Sequence, residues 1–342
     1  MSTSAPRDAR RRSVRLSDIA EQTGYSLATV SKALNGRADV SETTRQAIDA
    51  ALRDSGYTRR PTTPKQQRLI EVVFEDFETV WALDVLRGVI AEAKQHDLSV
   101  TVTEGGTKQH PDPSWLDGVL RRQPLGAILV FSNLSKTERT KLKARNIPFV
   151  VFDPSGDPSA DSLSVQADNW TGGVIATRHL LSLGHTRIGI ITGPDYMMCS
   201  RARLDGYSSA LAEKGIPADP TLVTEGDFTT PSGYAQAMAM LENPNTRPTA
   251  VFAGNDLQAM GVYEAARQLG LRIPEDLSVV GFDDVQTAAF MGPSLTTVRQ
   301  PLQEMAGAAT RMLIQATRGE TPSSVILPTS LIVRNSTRAL ND

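Results

Sequence analysis

From Leu69 onward the chain alternates short apolar runs with longer amphipathic stretches, and this alternation constrains its fold most. Strand-like runs fall at Leu69–Phe74, Ser99–Thr103, Ala127–Phe131, Phe149–Phe152, Arg187–Thr192, Ala250–Ala253 and Leu277–Phe282. Helical periodicity marks Trp81–Gln95, Ser135–Arg145, Thr171–Leu183, Ser200–Lys214, Pro231–Leu241 and Leu257–Leu269. A last helix, Gln300–Arg318, precedes a strand-like Val325–Leu327. A chain that returns to a new strand after each helix builds parallel sheets covered by helices on both faces. Residues 69–342 are many for one such sheet and suit two. Ligands then bind at the carboxyl ends of the strands or between lobes.

The 342 residues exceed the roughly 250–300 that one core usually serves, and the first 68 have a different character. The whole chain carries a net charge of −2, yet residues 1–68 hold 13 Lys/Arg against 7 Asp/Glu, while the remainder holds 23 against 31. A basic head on an acidic body points to a nucleic-acid module joined to something else.

Several classes fall away. Cys199 is the single cysteine, so neither an internal disulfide nor a Cys-based zinc site is available. His96, His110, His179 and His185 show no HExxH or close pairing, so neither a metal nor another cofactor is expected. No run of 18 apolar residues occurs, which argues against a membrane span. Arg10-Arg11-Arg12 is followed by Asp18, Glu21 and Gln22 where an export signal needs an apolar stretch, so a cytoplasmic protein is expected. No GxSxG elbow, phosphate-binding GxxxxGK[ST] loop, GxGxxG fingerprint or His-centred triad supports an enzyme.

Residues 1–13, rich in Ser, Ala and Arg, read as a disordered basic tail. Residues 14–58 hold three short helices: Leu16–Thr23, Leu27–Leu34 after a Ser26 cap, and one opened by Ser41 and closed by Gly56. Ala20 and Gly24 have helix-turn-helix spacing: a small residue where two helices cross, then a glycine at the tight turn. Val30 and Leu34 are expected to face Ile19, and the third helix to bury Ala47, Ile48, Ala51 and Leu52. That leaves Leu27, Ala28, Ser31 and Lys32 for base edges, with Thr29 and Asn35 near phosphates. A three-helix bundle of another purpose fits the spacing too. Residues 59–68, polar and basic with two prolines, read as a linker.

The motifs together resemble the LacI family of transcriptional regulators. In the head these are Val14-Arg-Leu-Ser-Asp-Ile-Ala, Thr29-Val-Ser-Lys-Ala-Leu-Asn-Gly36, Val40-Ser-Glu-Thr-Thr-Arg45 and Gly56-Tyr57. In the body they are Asp168-Asn-x-x-Gly-Gly, Leu183-Gly-His-x-Arg-Ile, Arg203-Leu-Asp-Gly-Tyr, Phe252-Ala-Gly-Asn-Asp256, Pro274-to-Asp284, Leu295-to-Pro301 and Val333-to-Thr337. The resemblance implies an all-α helix-turn-helix head on a two-lobed, α/β, periplasmic-binding-protein-like effector domain with parallel sheets, residues 69–342. It also implies that Leu27, Ala28 and Lys32 meet base edges, and that Ser17, Thr29, Ser31, Asn35, Ser41, Thr44 and Arg45 grip phosphates. Lys32 stands where the family usually has Arg; a point charge without the forked guanidinium reads guanine less stringently.

The linker departs from the family. Its usual hinge helix, with a leucine that wedges into the minor groove, has no counterpart in Thr58–Arg68, where Pro61 and Pro64 oppose a helix. Electrostatic contacts from Arg59, Arg60, Lys65 and Arg10–Arg12 are the expected substitute.

In the body, the resemblance makes Arg203 the forked donor to a small effector, Asp283 the acceptor opposite, and Asn255 capable of both. Phe228 and Trp81 match aromatic positions that sandwich a ring, and Asp168 lies near the lobe crossover. Each has an ordinary alternative: Arg203 a surface charge, Phe228 and Trp81 core, Asp283 a helix N-cap. The expected protein is a homodimeric repressor of operator DNA, controlled by a carbohydrate-type effector between two lobes. The helix Trp81–Gln95 is its candidate dimer contact. A sensor of a purine or another non-sugar metabolite, or a solute-binding protein, are the alternatives.

Overall fold

The computed structural model describes residues 16–34, 40–55, 68–75, 80–106, 112–130, 134–156 and 162–340. The chain divides into two units, Met1–Lys65 and Gln66–Asp342. The tail 1–13, Asn35, and the linker residues Arg59, Arg60, Pro61, Pro64 and Lys65 lie outside the described residues, as do the side chains of Leu34 and Arg45.

The first unit contains α1 (Leu16–Thr23), α2 (Leu27–Leu34) and α3 (Glu42–Asp54). Its core is small: Ile19, Val30, Ala33, Val40, Ile48, Ala51 and Leu52, with Leu16 and Ala20 packed against it. Burying a large aliphatic side chain contributes about 1.5–3 kcal/mol, so Ile19, Val30 and Ile48, all fully buried, anchor one helix each. Ala47, expected inside, faces solvent; Ile48, Ala51 and Leu52 already complete the inward stripe at helical spacing. Gly24 takes φ +70° at the turn between α1 and α2.

The second unit begins with β1 (Leu69–Phe74), α4 (Val80–Gln95), β2 (Ser99–Glu104), α5 (Ser114–Arg122), β3 (Gly126–Val130), α6 (Lys136–Ala144), β4 (Phe149–Phe152) and β5 (Leu163–Ala167). It continues with α7 (Asn169–Ser182), β6 (Ile188–Thr192), α8 (Met198–Glu213), β7 (Val223–Glu225), α9 (Thr230–Leu241), β8 (Ala250–Ala253), α10 (Asp256–Gln268), β9 (Ser278–Asp283) and β10 (Thr296–Arg299). Last come α11 (Leu302–Thr317), β11 (Val325–Leu327) and β12 (Ser330–Ile332).

These strands form two six-stranded sheets, ordered β11-β5-β4-β3-β1-β2 and β12-β10-β9-β8-β6-β7. The chain therefore crosses between lobes three times, after β5, after β10 and after β11. Among the described strands every pairing is parallel except β10 with β12. The exception follows from the last crossing. β11 runs with the first sheet, and the chain passes through residues 328–329 straight into the second, so β12 starts where its neighbours end.

In the first lobe, α4 and α11 cover one face through Val85, Val89, Met305, Ala309 and Leu313. Helices α5 and α6 cover the other, with Leu116, Val119 and Leu142. In the second, Ala176, Leu180, Tyr207 and Leu211 of α7 and α8 lie on one face, and Ala237, Leu241, Ala259 and Val262 of α9 and α10 on the other. Elements without a sequence expectation, namely α5, β5, β7, β10 and β12, are short and mixed in character. For the four strands, pairing in the sheet decides them rather than their own propensity, whereas α5 is held by Leu116 and Val119 packing on the sheet. Among the described residues no helix is long and apolar enough to cross a membrane.

Candidate functional site

A cavity opens where the strands' carboxyl ends from both sheets meet, lined by Trp81, Asp153, Cys199, Arg203, Phe228, Asn255, Leu257, Asp283 and Gln300. Open parallel sheets bind ligands there because the loops that leave strand ends carry the side chains. Asp153 follows β4, Asn255 follows β8, Asp283 ends β9 and Gln300 follows β10. Asp153, Phe228 and Asp283 hold φ of 48°, 67° and 110°. Positive φ in non-glycine residues is strain of the kind that gathers at binding sites.

Arg203 organises the cavity. It projects from α8, almost wholly buried, with Nε donating to Asn169 Oδ1 at 2.9 Å and Nη1 to the Gly254 carbonyl at 2.7 Å. Its guanidinium lies 3.7 Å from the Phe282 ring centre and 5.5 Å from that of Phe228, a cation–π arrangement that holds the group flat. Nη2 is left 4.0 Å from Asp283 Oδ1. A surface charge is thereby excluded for Arg203. Asn169 and the Gly254 carbonyl occupy Nε and Nη1, which leaves the Nη2 edge toward Asp283.

The acceptors outnumber that donor. Asp283 Oδ1 takes a 2.6 Å hydrogen bond from Gln300 Nε2. Asp153 Oδ2 and Gln300 Oε1 are buried and accept nothing among the described residues. Burial pushes the Asp153 carboxyl up to about 6, against the pull of Arg203 and Asn169. Burial raises Asp283 too, opposed by Arg203 and Gln300. Two buried carboxylates facing one guanidinium favour a ligand that brings hydrogen-bond donors. The Cys199 thiol, also in the wall, is pushed up to about 12 by burial and the nearby carboxylates, so it is a neutral contact and not a nucleophile.

The other expected residues divide. Trp81 belongs to the first lobe's core, edge-on to Phe152 at 5.8 Å, and lines the cavity as well. Phe228 lines it opposite Gly193, where a Cβ would stand 2.0 Å from the ring. Asn255 lines the cavity with both amide atoms engaged: Oδ1 caps α10 through Gln258 N at 2.8 Å, and Nδ2 donates to the Phe228 carbonyl. Asp168 is not among the lining residues. Its Oδ1 accepts from Thr171 N at 3.0 Å and caps α7, a local bond that outcompetes the cleft. Asp284 accepts from Arg299 at 2.7 Å and Arg334 at 2.6 Å. Asp153, Gln300 and Cys199 were not singled out from sequence. The one signal for Asp153 is its place directly after an apolar strand.

In the head, Ser26 Oγ accepts from Thr29 N at 3.1 Å and Ser41 Oγ from Thr44 N at 3.3 Å, starting α2 and α3. With Ile19, Val30 and Ala33 inside, Leu27, Ala28 and Lys32 stand on the exposed side of α2, Ser31 and Thr29 are half-buried, and Ser17 is exposed.

A helix-turn-helix head and a two-lobed sheet body with a polar interlobe cavity define a DNA-binding regulator with an effector domain. Residues 15–60 match the family model "Bacterial regulatory proteins, lacI family", and residues 177–337 match "Periplasmic binding protein-like domain". The HTH-type transcriptional repressor CytR of Escherichia coli (strain K12) is 33% identical over 331 residues, 95% of this chain and 96% of that protein. The transcriptional regulator CelR–cellobiose complex superposes with a TM-score of 0.73 at 30% identity, covering 94% of this chain and 99% of that one. The lac repressor dimer bound to operator and the anti-inducer ONPF gives 0.69 at 28%, covering 96% and 100%. The chain belongs to the LacI family. It is a DNA-binding transcriptional repressor with an effector-binding domain, in a family of repressors and not of enzymes.

Proposed function

We propose that a small carbohydrate-type effector, held between the lobes, controls the repressor's affinity for its operator. The observation that carries this reading is the pairing of aromatic walls, Trp81 and Phe228, with buried acceptors on Asp153, Asp283 and Gln300 beside a single guanidinium edge. Sugar rings offer apolar faces to the first and hydroxyl donors to the second. The cavity, about 80 Å³, favours a compact ligand over a long oligosaccharide. Effector binding changes lobe closure and with it the spacing of two heads in a homodimer on paired half-sites. Leu83 and Ile90 on α4 are exposed apolar side chains suited to that dimer contact. A cytoplasmic location accords with a DNA target.

Within the head, Leu27, Ala28 and Lys32 face bases, while Ser17, Thr29, Ser31, Asn35, Ser41, Thr44 and Arg45 hold phosphates. The proline-containing linker grips DNA electrostatically, so bending assays on operator DNA should show no sharp central kink.

A thermal-shift screen with monosaccharides, disaccharides, nucleosides and purine bases tests the effector, since a ligand bound only by the folded state raises its melting temperature. A shift confined to purines or other non-sugars sinks the carbohydrate reading. The sugar that shifts melting should then change operator retention in a gel-shift assay.

A further inference from the structure

The start of α2 carries an exposed apolar pair that the head's own core does not use. Ser26 fixes where the helix begins, its Oγ accepting from Thr29 N at 3.1 Å. Helical periodicity then sends Val30 and Ala33 inward and turns Leu27 and Ala28 outward. Leu27 is 53% exposed, whereas Leu16 on α1 packs against the core. In a unit this poor in apolar residues, leaving a leucine in water forgoes stabilisation that burying it would contribute. Neither Leu27 nor Ala28 has a side-chain donor or acceptor, so neither can form the hydrogen bonds by which a side chain distinguishes guanine, adenine or cytosine.

One feature of the major groove is apolar: the C5-methyl group of thymine. Resting on the base-facing placement of these two side chains proposed above, we propose that Leu27 and Ala28 read thymine methyl groups, so that each operator half-site carries thymine beneath the amino-terminal turn of α2. The occupant is DNA and not a protein partner, because the pair sits on the second helix of a helix-turn-helix in a segment holding 13 Lys/Arg against 7 Asp/Glu, and the family's operator-bound relative covers 96% of this chain. The two side chains are adjacent, and one residue of helix rises only 1.5 Å, less than the separation of neighbouring base pairs. They therefore enclose one methyl or two on successive pairs.

The full-length chain selects its half-site from a random duplex library. Each thymine of that half-site is then replaced in turn by deoxyuridine, which deletes the methyl and leaves every hydrogen bond, and affinity is measured by fluorescence anisotropy at fixed salt. One or two adjacent positions should lose about four-fold per methyl, as expected for one apolar carbon taken out of water. In Leu27→Ala, the thymine-to-deoxyuridine ratio at those positions should fall toward one. That ratio is insensitive to a general loss of fold or phosphate contact, which weakens both duplexes alike. Selected half-sites whose thymines can all be replaced without loss overturn the proposal. So does a ratio that Leu27→Ala leaves unchanged.

Discussion

Gln300 donates its side-chain amide to Asp283 at 2.6 Å, and its side-chain oxygen Oε1 is buried with no donor among the described residues. Gln300 lies where the chain passes from β10 to α11, at one of the three lobe crossings, so an acceptor of the cavity is tied to a connection that any lobe movement must strain. Replacing it by leucine removes the bond to a buried carboxylate. Gln300→Leu should lose about 1.5–3 kcal/mol of stability. The loss should be larger at pH 8 than at pH 5, because burial raises Asp283 and the lost bond matters most to its ionised form. Denaturant unfolding at the two pH values measures this.

Asp153 contributes to stability with the opposite sign from most carboxylates. Its folded-state value, about 6, lies above the ordinary 3.8, so its neutral form is favoured in the folded chain. The contribution is fully present below pH 4 and is lost as pH rises through 6, at most about 3 kcal/mol. Asp153→Asn should therefore melt higher than the parent at pH 7–8, the gap closing by pH 4. The effector-induced shift in melting should shrink in the same variant. Equal melting curves at pH 8 would contradict the burial argument.

Arg203 is a structural member of the cavity as well as its donor. In Arg203→Ala, Asn169 Oδ1 and the Gly254 carbonyl lose their bonds and two buried carboxylates lose their counter-charge. A cost of about 3–5 kcal/mol is expected, enough to depress the melting temperature of the unliganded chain markedly. Loss of effector binding in that variant is thus uninformative unless the folded fraction is measured by circular dichroism alongside.

Helix α8 brings Arg203 to the cavity by running unusually close to α7. A Cβ on Gly173 would stand 2.3 Å from the Arg203 carbonyl oxygen, a backbone atom that cannot turn aside. Gly173→Ala must push the helices apart, with an expected cost of about 1–3 kcal/mol and a weaker effector response in calorimetry.

In the head, Gly24 has φ +70° and open space around its missing side chain. Gly24→Ala meets no clash, only backbone strain of about 1–2 kcal/mol. Operator binding should fail at lower urea than in the parent, while effector-dependent stabilisation of the body is unchanged.

The residues themselves reveal the class of this protein because the signals involved are local. Helix caps at Ser26 and Ser41, a glycine at the turn, and the alternation of strand and helix act within a few residues of where they are written, so both units and most elements follow from the sequence. Arg203 and Asp283 lie within motifs that carry the family resemblance, and that resemblance also supplies Phe228. Tertiary structure alone brings Asp153, Cys199 and Gln300 to the same cavity, because they come from three strand or helix ends far apart in the chain and become neighbours only once two sheets align. It likewise turns Asp168 to cap α7 and commits Asp284 to two arginines. A carboxylate's partners are whichever donors folding brings near it, and spacing along the chain does not carry that information.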